Sequence, residues 1–523
     1  MPIKLSEENG SKVPAIHIRG NMVKAGCEQF VPEFERVVKQ RKMVMFNMPF
    51  VLGLLMLMQS GCASVTPQPA ASVEINVPAV WSTSVGTLKT ETSSLSEWWT
   101  RFNDPLLGSL VAQAMQANTS VKSAQASLRQ ARALRDVSAA ALWPAIGSSA
   151  SAQRSTSDST GATNSFKAGL DASWELDIFG ANRSALDTSE ATAQASAASL
   201  GDVQVSIAAE VALSYITLRD AQTRLSIAND NLASQQETLQ ITQWRLQAGL
   251  VTSLEAEQAR AAAEQTSAQL PPLQTIIEQT CHALAVLTCQ SPAALSNVLA
   301  AAGPVPQAAD DLALSIPAET LRQRPDVRAT EYQVTAAVGR VKQADAARLP
   351  NFTLSGSLGL SALTLGTLTN GASVVSGLLA DVSMPVFDGG AKRAQVRAQQ
   401  AALDQALVAY QAAVLAALKD VEDSLVALHS DRERLLRLQS AAEAAGNAAL
   451  LARQRYSSGL VDFQVVLETQ RTQLTTQDNV AKASADVSAD HVRLYKALGG
   501  GWSSDGNLAS PAPTENNSRS PRS

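Results

Sequence analysis

Aromatic residues are scarce in this chain: Phe, Trp and Tyr make up 4% of 523 residues, too few to fill the large cores that such a length could hold. Ala, Gln, Ser and Leu crowd it instead, which suits long helices. Basic excess is missing as well. With 42 Lys and Arg against 47 Asp and Glu, the formal net charge is -5, and no cluster interleaves aromatic with basic residues, so nucleic acid is excluded as a partner. The four histidines, His17, His282, His429 and His491, are remote from one another. CxxC, HExxH, GxxxxGK and GxSxG patterns are all lacking, which leaves no constellation for a metal, a cofactor, a phosphate or a nucleophile. The expectation is a protein that performs no chemistry and works by passage and docking.

Long apolar runs are also missing. The one candidate, Met43 to Met58, is interrupted by Asn47 and Pro49 and is too short to span a bilayer comfortably. It follows Lys39, Arg41 and Lys42 and precedes Gln59-Ser60-Gly61-Cys62-Ala63, the layout of a secretory signal. The cysteine after Ser60-Gly61 resembles a lipobox, with Gln59 where Leu is usual, so Cys62 is expected to carry lipid and to begin the mature chain. Residues 1–36 lie upstream of the signal and read as an artefact of an early start codon. Cys281 and Cys289, eight positions apart on one expected helix, would stand about 12 Å apart, too far to bridge, and are expected to be buried thiols.

From Cys62 to Glu97 a Pro/Ser/Thr/Val-rich stretch without period reads as an extended tether, and residues 502–523 read as a disordered tail. Between them two similar halves are expected, at 98–300 and 301–501. A constant shift of 210 pairs Gly180-Ala181 with Gly390-Ala391, Arg183 with Arg393, Val211 with Val421, Arg224-Leu225 with Arg434-Leu435, and Gly249-Leu250-Val251 with Gly459-Leu460-Val461. A shift of 206 pairs Val121 with Val327 and Pro144 with Pro350. Each half reads as helix, two strands, very long helix, tight turn, helix. The long helices are expected over 181–248 and 391–458, where Leu218, Leu225, Leu232, Leu239 and Leu246 match Leu407, Val414, Val421, Leu428 and Leu435 in a seven-residue period. Nearly 70 residues at 1.5 Å each reach about 100 Å, a length useful for crossing a periplasm.

Hairpins are expected over 144–178 and 350–387, each opened by a helix-stopping proline. Phe166, Ala168, Leu170, Ala172, Trp174 and Leu176 alternate with polar or small neighbours, as do Phe352, Leu354, Leu358 and Leu360. Membrane β-barrel strands have this pattern, and so do half-buried soluble sheets. Four strands cannot close a membrane barrel, because an open edge in lipid leaves backbone groups unpaired at several kcal/mol each. Copies of the chain must therefore pool strands if the sheet crosses a membrane, and three would give twelve.

Four motifs, in order, resemble the lipoprotein (NodT-type) branch of the TolC-like outer-membrane factor family: Trp98-Trp99 leading to Phe102-Asn103-Asp104-Pro105-Leu106-Leu107, Trp174 to Gly180, Arg324-Pro325-Asp326-Val327, and Met384 to Gly390. The resemblance implies an α+β membrane protein: a homotrimer in which a twelve-stranded outer-membrane β-barrel continues into a twelve-helix periplasmic α-barrel. It further implies passive efflux of drugs or other toxic small molecules, with a periplasmic adaptor and an inner-membrane RND-type pump as partners. The turns Gly249, Leu250, Val251 and Gly459, Leu460, Val461 would then be periplasmic tips that dock the adaptor. Tyr456, Asp462 and Glu468 would be gate candidates, with Glu468 where relatives place an inward aspartate. Type I protein secretion is the alternative transport reading, and a coiled-coil scaffold lipoprotein the alternative from another class, although a scaffold leaves the doubled hairpins without a purpose.

Overall fold

The computed structural model describes residues 95–157, 161–308, 324–369 and 373–502, together with Trp81 and a two-residue antiparallel ladder of Lys4–Leu5 with Ile16–His17. Cys62, with the expected signal and most of the tether, lies outside the described residues, as does the expected tail beyond Trp502.

A 3-10 segment, Leu95–Phe102, leads into α1 (Pro105–Ala117) and α2 (Thr119–Ala140). One residue separates these helices: Asn118 ends the first and caps the second, its side-chain oxygen accepting from the Ser120 and Val121 amides. Strands β1 (Ala145–Ser157) and β2 (Gly161–Leu176) follow, then the 67-residue α3 (Ala181–Gln247). Beyond its turn come α4 (Ser253–Ser267) and α5 (Leu270–Leu287), where a single helix was expected. Pro271 and Pro272 explain the break, since neither can supply an amide hydrogen to a continuing helix. The second half holds α6 (Pro325–Ala346), β3 (Asn351–Ala362), β4 (Val374–Ser383), the 67-residue α7 (Ala391–Ser457) and one unbroken α8 (Phe463–Ala497).

Both long helices begin after a glycine in the left-handed region, Gly180 at φ 78° and Gly390 at φ 87°. Aspartates cap both starts. Asp177 accepts from the Asn182 and Arg183 amides, and Asp388 from those of Gly390 and Lys392, which holds the Asp388 carboxyl below its usual range.

The helices pack side by side as a palisade. Along the strand-side half α6 lies between α3 and α7, and along the other half α8 does. Small residues permit close approach above: Ala336 and Ala337 are buried where Gly339 of α6 meets Ser184 and Thr188 of α3. Farther along α3, the buried row is Ala228, Asn231, Gln235, Thr238 and Thr242, spaced three and four apart and largely polar. Asn231 donates to Gln477 and Gln470 donates to Thr238 across to α8, while Arg224 pairs with Asp478 at 2.6 Å. Of the expected leucine row, Leu218 is fully buried, whereas Leu225, Leu232, Leu239 and Leu246 stand beside this seam and are half-buried. Its counterpart behaves as a seam: Leu407, Val414, Val421 and Leu428 are buried, and Trp81 packs with Val421, Leu425 and Leu428 of α7 and Val487 and Leu494 of α8.

The main core lies where the 3-10 segment at Leu95–Phe102 meets the end of α8. Trp98 stacks on Tyr495 with centroids 5.3 Å apart, and the Gly501 amide donates to the Leu95 carbonyl. Asp104 caps α1 and accepts from the Tyr215 hydroxyl at 2.7 Å, while Arg219 donates to that same hydroxyl oxygen. Burial and the neighbouring carboxylate push the Tyr215 hydroxyl up to about 12.

Candidate functional site

Strand register sorts the side chains of the sheet onto two unlike faces. The order is β1-β2-β3-β4, antiparallel throughout. Phe166, Ala168, Leu170, Trp174 and Leu176 face their partners Ala362, Leu360, Leu358, Leu354 and Phe352, and Phe352 and Leu354 in turn face Val382 and Ala380. That makes one face apolar across the strands. The opposite face sets Ser151, Lys167 and Ser361 in one row, Gly147, Asp171, Ser357 and Gly377 in another, and Glu175, Thr353 and Asp381 in a third. Ser149 donates to Asp171 on this polar face at 2.8 Å. Both faces stand clear of the helices: Leu170, Leu358 and Leu378 are exposed although they belong to the apolar side. Neither outer edge, on β1 or on β4, has a partner among the described residues. A sheet with an apolar side, a polar side and two open edges is incomplete as a single chain.

Gly169 of β2 and Gly359 of β3 face each other in the register. A Cβ on Gly359 would lie 2.7 Å from the Ala168 carbonyl oxygen and 2.9 Å from the Gly169 Cα, so glycine is required there by space.

The two turns carry the same geometry. Gly249 (φ 70°) and Gly459 (φ 73°) close α3 and α7, and the Leu250 and Leu460 amides donate back to the Arg245 and Arg455 carbonyls, the six-to-one bond of a Schellman ending. Leu250 and Leu460 project outward, 73% and 74% exposed, and Val251 and Val461 are half-buried beside them. A capping box, Thr252 with Glu255, starts α4.

Of the three gate candidates, Tyr456 is half-buried and joins the two tips: Arg245 lies 4.6 Å from its ring centroid, and Phe463 packs at 5.4 Å. Asp462 is an exposed N-cap residue of α8. Glu468 is exposed, one and a half turns along α8 from Phe463, with Arg471 at 3.8 Å. Within one chain these three side chains do not converge on a common point.

Residues that pattern reading passed over include Arg245, whose match at Arg455 was available in the 210 shift. Trp244 and Leu254 add exposed apolar surface at the first tip. Arg324 begins more than a helix. Buried to 8% exposure, it donates to Asp326 at 2.6 Å, Asp420 at 3.2 Å and the Ala497 carbonyl at 3.0 Å, clasping α6, α7 and α8 together. Cys281 is buried, but Cys289 is exposed, a correction to the expectation of two buried thiols on one helix. The helix ends at Leu287, and Cys289 follows with a left-handed φ of 59°. Among the described residues no group of His, Cys, Asp and Glu could hold a metal.

Paired helical rods joined to an amphipathic sheet with open edges define a class, the outer-membrane channels whose helices extend into the periplasm. The family model described as "Outer membrane efflux protein" matches residues 110–289 and 316–500, and the chain belongs to that family. It is similar to the pyoverdine export outer membrane protein OpmQ of Pseudomonas putida, 33% identical over 476 residues that cover 88% of this chain and 99% of that one. The probable outer membrane lipoprotein SilC of Salmonella typhimurium is 27% identical over 450 residues, 85% of this chain and 96% of the relative. Among solved structures, that of the outer-membrane channel OprN superposes with a TM-score of 0.75 at 34% identity, covering 82% of this chain and 99% of its own. The chain is an outer-membrane efflux channel protein.

Proposed function

We propose that three copies close into one conduit and passively pass drugs or other toxic small molecules out of the cell. The observation that carries this reading is the sheet: its open edges and opposite faces are satisfied together if β4 of one copy pairs with β1 of the next, apolar side to lipid and polar side to water. Pooling three sheets gives about twelve strands, within the known range of such barrels. The same three-fold arrangement supplies neighbours for the half-buried leucine row of α3 and for exposed Val408, Leu415 and Leu436 of α7, extending the cylinder as twelve helices. The equal 67-residue lengths, glycine starts and Schellman ends of α3 and α7 support descent by internal duplication into repeats at 98–300 and 301–501.

Cys62 is the lipidated first residue of the mature chain, and 62–97 its tether. The tips at Gly249-Leu250-Val251 and Gly459-Leu460-Val461 dock a periplasmic adaptor that couples the channel to an inner-membrane RND-type pump. Tyr456, Asp462 and Glu468 narrow the mouth. Light scattering of the purified mature protein should give a mass of three chains, and planar bilayers should register conductance. A water-soluble monomer without a bilayer-inserted sheet overturns the proposal.

A further inference from the structure

Strand β4 departs from the division of the sheet into two faces. Leu378, Ala380 and Val382 belong to its apolar side, but Val375 and Leu379, which alternate onto the polar side, are apolar too and are 55% and 63% exposed. A strand that is apolar on both faces ordinarily has something to cover on each. A neighbouring copy of the chain does not cover these two. The β1 that it would bring to the open edge of β4 offers on its polar side, from Ala145 to Ser151, only Ala, Gly and Ser side chains, which are too short to reach across a strand. Pooling the sheets therefore leaves Val375 and Leu379 facing the bore.

Beside them the polar face is low. Val375 shares a row with Gly359 and Gly169, and Leu379 shares one with Ser355 and Ser173. In the row midway between, Gly377 and Ser357 lead to Asp171 on β2. With strands about 4.8 Å apart and a rise of about 3.3 Å per residue, this trough is about 10 Å wide from β4 to β2, and Val375 and Leu379 stand about 13 Å apart along it. Asp171 accepts from Ser149 at 2.8 Å through one oxygen and is itself exposed. The other charged side chains on the described part of this face are Lys167, Glu175 and Asp381, so carboxylates outnumber cations by three to one. A molecule of that span would free water from Val375 and Leu379 with an apolar body and set a positive charge at the Asp171 carboxylate.

We infer that Val375, Leu379 and Asp171 form a trough in the bore that takes amphipathic organic cations, with the apolar body on β4 and the charge on β2. The inference rests on the reading that the sheet walls an outer-membrane conduit, and it deepens that reading by naming a class of passenger and the side chains that select it.

The test holds the mature protein in planar bilayers and reads block as a fraction of each channel's own potassium chloride current. Three probes separate charge from apolar body: tetraphenylphosphonium has both, tetramethylammonium lacks the body, and tetraphenylborate has the body with the opposite charge. Tetraphenylphosphonium should block the parent, and tetraphenylborate should not. The half-blocking concentration of tetraphenylphosphonium should rise about tenfold in Val375→Thr with Leu379→Asn, and by a similar factor in Asp171→Asn, while the response to tetramethylammonium should change only in Asp171→Asn. Conducting channels in which both variants keep the parent's half-blocking concentration, or in which tetraphenylborate blocks as well as tetraphenylphosphonium, overturn the trough and leave the conduit standing. Loss of the oligomer in the β4 variant, with Asp171→Asn blocked like the parent, also overturns it, because the two side chains then hold copies together. If the parent forms no channel, both readings fail.

Discussion

The guanidinium of Arg245, at the end of the first long helix, lies over the ring of Tyr456, at the end of the second, 4.6 Å from its centroid, and donates to the neighbouring Ser457 carbonyl at 3.4 Å. Beside this pair Ala259 of the first tip meets Ala452, Phe463 and Val466 of the second, and Arg453 reaches back to Ser234 and Glu237 of α3. If the mouth opens by parting the tips, this pair resists it. Tyr456→Ala and Arg245→Ala should each raise closed-state conductance in planar bilayers. The double variant should fall short of additivity by about 0.5–1 kcal/mol, the usual worth of a cation–π pair. Tyr456→Phe should conduct like the parent, because the hydroxyl has no hydrogen-bond partner among the described residues.

Acid should favour the packing of α8 on α7. Asp490 is buried on α8, with one oxygen accepting from Arg493 at 2.5 Å and the other without a partner among the described residues. Burial, opposed by Arg493 and reinforced by Asp431 of α7, pushes its carboxyl up to about 6. The folded value exceeds the unfolded one of about 4, so the associated stability is complete below the unfolded value and is lost as pH rises through about 6. Asp202 and Asp220 are also raised, chiefly by burial, and act in the same direction. Asp490→Asn should therefore stabilise the protein at neutral pH by about 1–3 kcal/mol and flatten its melting temperature between about pH 4 and pH 7. A variant with the same slope as the parent counts against this assignment.

Much of this architecture was legible because particular residues leave little choice. Gly180 and Gly390 mark helix starts in backbone terms, Pro144 and Pro350 stop the helices before the sheet, and the alternation from Phe166 to Leu176 fixes which side of β2 is apolar. β1 was harder to see. Its Ala, Ser and Gln residues have too little contrast to alternate, and only pairing with β2 defines it. The α3 seam was hidden for a related reason: Asn231, Gln235 and Thr238 have heptad spacing without hydrophobicity, so the adjacent leucines drew the register one residue aside. The Pro271-Pro272 break could have been read directly. At the candidate site the turns were plain in Gly-Leu-Val, whereas Arg245 on Tyr456 and the Arg324 clasp depend on residues about two hundred and about one hundred positions away, which no local pattern contains.

Sheet assembly should be sensitive at one glycine and indifferent at another. Gly359→Ala puts a methyl group against the Ala168 carbonyl and should cost about 1–3 kcal/mol, visible as less heat-labile oligomer in isolated outer membranes. At Gly147 an added Cβ meets nothing within 4 Å, and Gly147→Ala should change assembly by less than about 0.5 kcal/mol.

The exposed leucines of the turns provide a test of docking apart from folding. Leu250→Asp with Leu460→Asp alters side chains that are largely in solvent, so oligomers should persist in the membrane. If these turns seat an adaptor, drug resistance of cells carrying the double variant should drop to that of a deletion strain. Retained resistance with normal expression would falsify the docking role.

Glu468 and Arg471 should act in opposite directions on ion selectivity. They are 3.8 Å apart and both about two-thirds exposed, so the pair itself contributes little to stability and either charge can be removed without unfolding the helix. Should α8 present this face to the bore, three copies place three carboxylates and three guanidinium groups around a narrow mouth, and the sign of the local field depends on their balance. Removing the carboxylate with Glu468→Ala should then shift the reversal potential toward anions, and removing the cation with Arg471→Ala should shift it toward cations, in bilayers under a salt gradient. Identical shifts, or none in either variant, would place this face of α8 away from the conducting path.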